Sequence, residues 1–468
     1  MPIPNTLADV LISPLNADIL DVETVADGNQ PRILWTNGES QYLFYSDLDG
    51  NGDLVQGTKL VRPSAPYNDF ATGVDTFPNG AEWGRRWWTP HGPTRSQYGG
   101  ATPMGCYYTK WREGELAEIL FIVPPASPAV VVVSVPDFDA WLFDAWRVPA
   151  LAGWLVYSRV DRGYDPVEHG EMNVFDPSDG SSTAIPNLPT TVSNTTSRVF
   201  RIVEEHLAVV MGRSLSIFAR SAPRRPLQDL SVGDYDLGGE RWQLAWQSLD
   251  PMHAGISLPI GPAWPTSQYE LRGVGVRKLT VQAYAAANRY TYEGYFVYGL
   301  RRELVPNSGD PPVAVADTID YYVIDYDSSV PRLRVIASGR ALVPPLPGPD
   351  GMIFAGIGDD ENYIDPDGNP CIALALVQTP NDSANTSRGV IAVFTAYYAA
   401  PEPGGSPHTF HVLTPSGVAN PERPRKDPEP VTVGSPSTVY IYHRELANPG
   451  SDPALRQWEL HRTLAWEP

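Results

Sequence analysis

The oxygen-rich segment Asp47-Leu-Asp49-Gly-Asn51-Gly-Asp53 is the clearest candidate for chemistry in this sequence. Its oxygen-bearing side chains alternate along a short stretch, and two glycines allow the backbone to curl. Calcium takes about six to eight oxygen ligands, so Asp47, Asp49, Asn51 and Asp53 are predicted calcium ligands. The segment does not complete an EF-hand, because Thr58 stands at the twelfth position, where a bidentate acid is needed.

A partial copy of this pattern, Asp365-Pro-Asp367-Gly-Asn369, lies later in the chain. It carries fewer carboxylates than the first segment, and because carboxylate count controls calcium affinity, the first segment is the stronger candidate. The alternative for both is an ordinary hairpin turn in which Asn and Gly adopt positive φ.

A second candidate site is the aromatic and basic segment 82–98, EWGRRWWTPHGPTRSQY. Flat indole faces stack on the apolar faces of sugars, and guanidinium groups bind hydroxyls or carboxylates, so the segment predicts a glycan or acidic-ligand site. The predicted ligand-binding residues are Trp83, Arg85, Arg86, Trp87, Trp88, His91, Arg95 and Tyr98. The alternative is that the tryptophans fill the space between neighbouring sheets while the arginines cap carbonyl groups.

Motifs for nucleophilic, phosphate-binding or zinc-hydrolase chemistry are not found: the sequence contains no G-x-S-x-G, G-x-x-x-x-G-K-[ST] or H-E-x-x-H. His408 and His411 are three residues apart, which on a strand directs them to opposite faces and argues against shared metal ligation. Acid pairs such as Asp137 and Asp139 would suit a glycosidase, but a chain with 54 acidic residues contains such pairs by chance. These observations favour a non-enzymatic role.

The elements that must position these residues are predicted to be β-strands. Apolar segments are short, rich in Val, Ile, Tyr, Phe and Trp, and bounded by Pro, Gly, Asp or Asn, and the chain has 48 Pro and 40 Gly. Similar aromatic strands recur, each followed by a turn-rich stretch and a second strand. The clearest examples are residues 42–46 (YLFYS), 154–159 (WLVYSR), 295–304 (YFVYGLRREL) and 439–446 (VYIYHREL).

Repeated hairpins along the whole chain predict an all-β fold, a single β-propeller over residues 1–468. At about 65 residues per blade, 468 residues make roughly six or seven blades. Because open sheet edges invite aggregation, we expect ring closure between a strand in residues 1–45 and the C-terminal strand around 458–464. The alternative is a tandem pair of β-sandwich domains.

The segment 41–61, QYLFYSDLDGNGDLVQGTKLV, resembles blades of TolB-like and sialidase-like propellers. In those blades an aromatic strand meets an Asp/Gly/Asn turn and a returning strand. The segment is also similar to the calcium loops of integrin-type FG-GAP propellers. The resemblance implies a propeller fold and calcium at the turn.

Charge and composition exclude several classes of partner. The chain has 34 basic and 54 acidic residues, a net charge of −20, which repels nucleic-acid phosphates and anionic lipids. The longest apolar run, 124–136, is too short to cross a bilayer, and the opening residues lack the pattern of a signal peptide, so we expect a soluble protein without membrane insertion. Cys106 and Cys371 are the only cysteines, so the chain can form at most one disulfide.

These features together predict a non-enzymatic recognition or structural module. A rigid repeat scaffold with many Pro/Gly loops suits a component of a larger extracellular or virion-like assembly, for example a tail-fibre or adhesion component. Its expected partners are assembly proteins or a glycan. The alternative is a propeller glycoside hydrolase or lyase.

Overall fold

A computed structural model describes the chain in segments, and in all of them the regular elements are β-strands. The described residues are 9–12, 19–27, 30–37, 43–55, 59–61, 70–71, 106–110, 117–122, 130–135, 138–146, 154–161, 171–176, 181–184, 200–203, 206–211, 214–221, 235–237, 240–247, 268–285, 288–305, 314–327, 332–348, 351–353, 355–378, 388–397, 406–414, 423–447 and 457–468.

The chain forms two compact units. Unit 1 comprises Met1–Pro136, Val343–Thr395 and His408–Pro468, and unit 2 comprises Asp137–Leu342 and Ala396–Pro407. The strands of unit 1 are β1 (Val10–Leu11), β2 (Ile19–Asp27), β3 (Gln30–Asn37), β4 (Leu43–Asp47), β5 (Lys59–Val61), β6 (Phe70–Ala71), β7 (Cys106–Lys110), β8 (Ala117–Ile122), β9 (Val130–Val135), β23 (Leu346–Gly348), β24 (Gly351–Ile353), β25 (Gly356–Ile364), β26 (Pro370–Val377), β27 (Gly389–Ala396), β28 (His408–Val412), β29 (Arg425–Val433), β30 (Thr438–Ala447) and β31 (Gln457–Trp466).

The strands of unit 2 are β10 (Phe138–Trp146), β11 (Trp154–Asp161), β12 (Glu171–Asp176), β13 (Ser181–Ala184), β14 (Phe200–Val203), β15 (His206–Met211), β16 (Ser214–Ser221), β17 (Tyr235–Leu237), β18 (Glu240–Gln247), β19 (Gln268–Ala285), β20 (Asn288–Leu304), β21 (Ala314–Asp327) and β22 (Arg332–Leu342). The hairpin of β19 and β20 has strands of 18 and 17 residues.

Most sheets are antiparallel meanders in which neighbours along the chain are neighbours in the sheet. Examples are β10-β11-β12-β13, β19-β20-β21-β22 and β25-β26-β27-β28. In one sheet the order changes locally, with β18 lying between β16 and β17. Short meanders of this kind are the unit from which propeller blades are built. The prediction of an all-β chain made of antiparallel sheets is therefore confirmed.

One four-stranded sheet, here called the terminal sheet, joins the two ends of the sequence in the order β1-β31-β30-β29. Strand β1 pairs antiparallel with β31, with Val10 opposite Arg462 and Leu11 opposite His461. The predicted blade number and the predicted closure of residues 1–468 into one domain stay predictions.

Unit 1 contains a described core that follows from apolar strands, and unit 2 contributes buried residues such as Phe296, Ile319 and Val323. Every residue of β26 (PCIALALV) and β27 (GVIAVFTA) is buried, as expected for strands covered on both faces. A second apolar cluster joins β2 and β3 to the terminal sheet and contains Ile19, Val22, Ile33, Leu48, Val431, Val433, Tyr442 and Leu460.

Candidate functional site

The first predicted calcium loop is a tight turn after β4. Asp49 Oδ1 accepts hydrogen bonds from the backbone N–H groups of Asn51 at 2.8 Å and Asp53 at 2.9 Å. The N–H of Gly52 donates to the Asp49 carbonyl at 3.0 Å, and the N–H of Asp49 donates to the Asp53 carbonyl at 2.9 Å. Gly52 has a φ of 74°, a conformation that favours glycine.

The second predicted loop, between β25 and β26, repeats this turn. Asp365 takes the role of Asp49, and its Oδ1 accepts the backbone N–H of Asn369 at 2.8 Å. The N–H of Gly368 donates to the Asp365 carbonyl at 2.9 Å, and Gly368 has a φ of 87°. The sequence copy is therefore a copy of turn geometry.

Side chains from the terminal sheet hold both loops. Arg462 donates through Nη1 to the Asn51 carbonyl at 2.7 Å, and its Nη2 lies 2.8 Å from Asp53 Oδ1. The Tyr442 hydroxyl donates to the Gly52 carbonyl. At the second loop, the indole N–H of Trp466 donates to an oxygen of Asp367 at 3.4 Å. Both turns are therefore fastened to strands distant in sequence.

The two predicted site segments have different outcomes. One oxygen of Asp49 caps the turn and the Asp53 carboxylate pairs with Arg462, while calcium binding by Asp47, Asp49, Asn51 and Asp53 stays a prediction. The predicted ligand-binding segment 82–98 lies outside the described residues. The Cys371 thiol is free and buried.

In the part of the chain that the structure describes, the ionisable side chains close enough to share a metal ion are Asp9, Glu445 and His461. Their strands explain why they meet. His443 lies opposite His461 across β30 and β31, and Glu445 lies opposite Arg425 across β29 and β30. Residues two apart on a strand share a face, so His443 and Glu445 point to the same side of the sheet.

Asp9, just before β1, completes this cluster. One oxygen of its carboxylate, Oδ1, lies 3.0 Å from His461 Nδ1 and 3.3 Å from His443 Nε2. The other, Oδ2, accepts hydrogen bonds from Arg425, with both Nε and Nη2 at 2.8 Å. Arg425 Nη2 also lies 2.9 Å from Glu445 Oε2. We call Asp9, Arg425, His443, Glu445 and His461 the Asp9 cluster.

Burial and neighbouring charges set the protonation of the Asp9 cluster. Burial raises the pKa of Asp9, but hydrogen bonds with His443 and His461 outweigh burial and hold that pKa well below its usual range. Burial and the nearby Asp9 carboxylate raise the pKa of Glu445. Burial lowers the pKa of His443, whereas carboxylates around His461 outweigh its burial and raise its pKa. The cluster thus combines an ionised aspartate, a histidine whose pKa is lowered and a histidine whose pKa is raised.

The sequence patterns considered above do not single out the Asp9 cluster. A signal was present, because His443-Arg-Glu445 and Glu459-Leu-His461 each place a histidine and an acid two residues apart in a predicted strand. With only eight histidines in the chain, two such pairs in the last strands are notable. The involvement of Asp9 had no local signal, since it lies 452 residues from His461.

A second charged group in unit 1 surrounds Asp359, at a β-bulge in β25. Burial and the carboxylates of Asp427 and Asp360 raise the pKa of Asp359 to about 7. Asp427 has a φ of 58°, and its Oδ2 accepts the N–H of Val22 at 2.6 Å. The same oxygen lies 3.3 Å from Arg444 Nε. Asp359 is therefore near its titration point at neutral pH, and the neighbouring Asp427 contacts the guanidinium of Arg444.

Unit 2 carries buried ion pairs on the two faces of the sheet β19–β22. Arg302 and Asp317 are opposite each other on β20 and β21 and form a bidentate pair at 2.9 and 2.8 Å. Arg340 pairs with Asp320, with Nη2 donating to Oδ2 at 2.8 Å. Both carboxylates are about 1 % exposed, so each of these buried charges has an oppositely charged partner.

Comparison with known proteins finds solved structures of low sequence identity and low TM-score. No protein-family model and no curated protein matches the chain. Among solved structures, the WD40 domain of SCAP from fission yeast aligns at 9% identity over 98% of this chain and 98% of that chain, with a TM-score of 0.41.

Two enzyme structures also align with the chain. A prolyl endopeptidase structure aligns at 11% identity over 91% of this chain and 47% of that chain, with a TM-score of 0.37. The GH93 α-L-arabinofuranosidase of Fusarium graminearum aligns at 9% identity over 77% of this chain and 89% of that chain, with a TM-score of 0.31. These overlaps are too loose to carry a conclusion about function. Within the described residues, no helix is long and apolar enough to cross a membrane.

Proposed function

We propose that this protein is a non-enzymatic recognition or structural module that belongs to a larger extracellular or virion-like assembly. The observation that carries the proposal is the terminal sheet, in which β1 and the partly buried Asp9 are tied to the last three strands. Joining the two ends of a long chain in one sheet yields a rigid support for exposed loops, and binding residues commonly lie on such loops.

The contact surface that we propose is the tryptophan- and arginine-rich segment 82–98, with a glycan or an assembly protein as the ligand. Its residue types support this choice, because indole rings stack on sugars and arginines bind carboxylates of acidic sugars. Calcium at Asp47, Asp49, Asn51 and Asp53 would stiffen a neighbouring loop, and we retain it as part of the proposal.

A glycan array tests the proposal directly. We expect wild-type protein to bind a restricted set of glycans and the double variant Trp87→Ala/Trp88→Ala to lose that binding. Trp264→Ala is the matched control, because Trp264 lies in a related Gly-Pro segment without neighbouring arginines. Equal binding by wild type and the double variant, with both folded by circular dichroism, would remove segment 82–98 as the glycan site.

One observation favours a second candidate function, glycoside hydrolysis. That reaction needs a protonated acid and an ionised carboxylate across the scissile bond. Asp359, with its pKa raised to about 7, has the protonation tendency of the acid, and Asp427, whose Oδ2 lies 3.3 Å from Arg444 Nε, is a second carboxylate beside it. Turnover of chromogenic glycosides that disappears in Asp359→Asn, but not in Asp367→Asn, would make the enzyme the better account of this protein.

A further inference from the structure

The His443 ring of the Asp9 cluster faces more hydrogen-bond acceptors than a neutral imidazole can serve. His443 is wholly buried, with Nδ1 3.4 Å from the Ile441 carbonyl and Nε2 3.3 Å from Asp9 Oδ1. A neutral ring has one N–H, so one nitrogen must present a lone pair to an oxygen. Nε2 makes no well-formed hydrogen bond within the described residues, because its contact with Asp9 Oδ1 is long and poorly directed. A cation held at Asp9 Oδ1 would lie close to this buried nitrogen.

The His461 ring has the same surplus of acceptors. Its Nδ1 lies 3.0 Å from Asp9 Oδ1 and 3.9 Å from Glu445 Oε2, and its Nε2 lies 3.4 Å from Glu459 Oε2. A proton on each nitrogen would serve these acceptors, and so would a cation held at Nδ1 by Asp9 Oδ1 and Glu445 Oε2.

The spacing of these atoms suits a tetrahedral metal ion. Ligand atoms at about 2.0–2.2 Å from zinc lie roughly 3.3–3.6 Å from one another. In the Asp9 cluster, His461 Nδ1 lies 3.0 Å from Asp9 Oδ1 and 3.9 Å from Glu445 Oε2, and the ligand atoms of Asp9, Glu445 and His461 all lie within 4.8 Å of one another. Small shifts would bring one nitrogen and two oxygens around one ion.

Outer groups already hold the three side chains in place. Arg425 binds the outward oxygen of Asp9, which leaves Oδ1 directed at the histidines. Glu459 lies at the far nitrogen of His461, Arg423 donates to Oε1 of Glu445, and Arg425 Nη2 lies 2.9 Å from Oε2 of Glu445. Metal-binding histidines and carboxylates are commonly oriented by such secondary hydrogen bonds, because these fix the tautomer and the ring direction.

We propose that Asp9, Glu445 and His461 bind one divalent transition-metal ion, for which zinc is the best fit. One imidazole and two carboxylates form a nitrogen and oxygen donor set that zinc accepts readily. The ion would clamp the N-terminal segment to β30 and β31. The inference stands apart from the proposed recognition function, because it depends on none of the residues in segment 82–98.

Metal titration of tag-free, chelator-treated protein tests the site. We expect one equivalent of Zn²⁺ to bind and to raise the melting temperature, since a ligand that binds the folded state stabilises it. Co²⁺ should give the visible absorption of a tetrahedral ion, and Zn²⁺ should abolish that absorption. His461→Gln should lose the absorption and weaken Zn²⁺ binding by about tenfold or more.

Two further variants keep the test decisive if His461→Gln fails to fold. Glu459 is 34% exposed, so Glu459→Gln should fold and still weaken Zn²⁺ binding by about tenfold through the lost orientation of His461. His408→Gln is the matched control, because His408 lies on β28 outside the cluster. Wild type that binds no Zn²⁺, or binding equally strong in wild type and Glu459→Gln, would overturn the proposal and leave the cluster as a set of ion pairs and hydrogen bonds.

Discussion

Neighbouring charges decide how Asp359 behaves. Burial and the carboxylates of Asp427 and Asp360 disfavour its ionised form, while Arg444 acts in the opposite direction. The net effect raises the pKa of Asp359 from 3.8 to about 7, so the folded protein holds a proton that the unfolded chain releases between these values. Stability contributed by this residue therefore falls as the pH rises through that window.

The substitution Asp359→Asn should reveal this dependence. Asparagine resembles the protonated acid, so the variant should match wild type near pH 4 and exceed it by up to about 4 kcal/mol at pH 8, at roughly 1.4 kcal/mol per pKa unit. Urea unfolding at both pH values measures the difference. Asp367→Asn, at an exposed acid of the same unit, serves as the control, and an equal pH response of the two variants would contradict the assigned cause.

Gly52 and Gly50 make a matched pair in the first loop. A Cβ on Gly52 would lie 2.9 Å from atoms of Arg462, Tyr440 and Tyr442, and the φ of 74° adds strain. A Cβ on Gly50 would find its nearest neighbour at 4.0 Å.

We therefore expect Gly52→Ala to cost about 1–3 kcal/mol of unfolding free energy. Gly50→Ala should stay within about 0.5 kcal/mol of wild type. Denaturant unfolding compares the two variants. Equal losses would show that the contacts around Gly52 do not control the turn.

At the scale of elements, the two Asp-Gly turns show how one short pattern serves different sheets. Each turn has an aspartate whose side chain caps backbone N–H groups, a glycine at positive φ, and a contact from the terminal sheet. The cap gives Asp49 and Asp365 a structural role without any ion, since side-chain acceptors of this kind stabilise tight turns. Calcium would add to that role and would require the negative charge.

Asp49→Asn separates the cap from the charge. The amide oxygen can still accept the N–H groups of Asn51 and Asp53, whereas Asp49→Ala removes the acceptor and should cost about 1 kcal/mol. If calcium binds, both variants should lose the calcium-dependent rise in melting temperature, while Asp367→Ala should keep most of it. If the melting curve of each protein is the same with calcium and with EDTA, calcium is removed from the proposal.

At the scale of the whole molecule, the terminal sheet is the feature with the widest consequence. Strand β31 pairs with β30 on one side and with β1 on the other, so its loss would expose two strand edges. It also carries His461 and Arg462, which hold Asp9 and the first loop. Closure of residues 1–468 into one ring, which we propose, would make the whole fold depend on this strand.

Truncation tests that dependence. Removal of residues 459–468 should abolish the cooperative thermal transition of the entire chain, as followed by calorimetry and circular dichroism. Removal of residues 467–468, which are exposed and lie beyond β31, should leave the melting temperature within a few degrees of wild type. A full-sized transition in the longer truncation would argue against closure.

Local patterns were enough to predict the all-β character, the strands around residues 42–46 and 439–446, and the two Asp-Gly turns. Strand alternation and turn chemistry depend on neighbours within a few residues, which the sequence displays directly. The Asp9 cluster depended on tertiary structure, because sheet register places Asp9 beside His461 across 452 residues. The same holds for the contact of Arg462 with the first loop and for the raised pKa of Asp359, since the electrostatic environment of a residue is set by groups that only folding brings near.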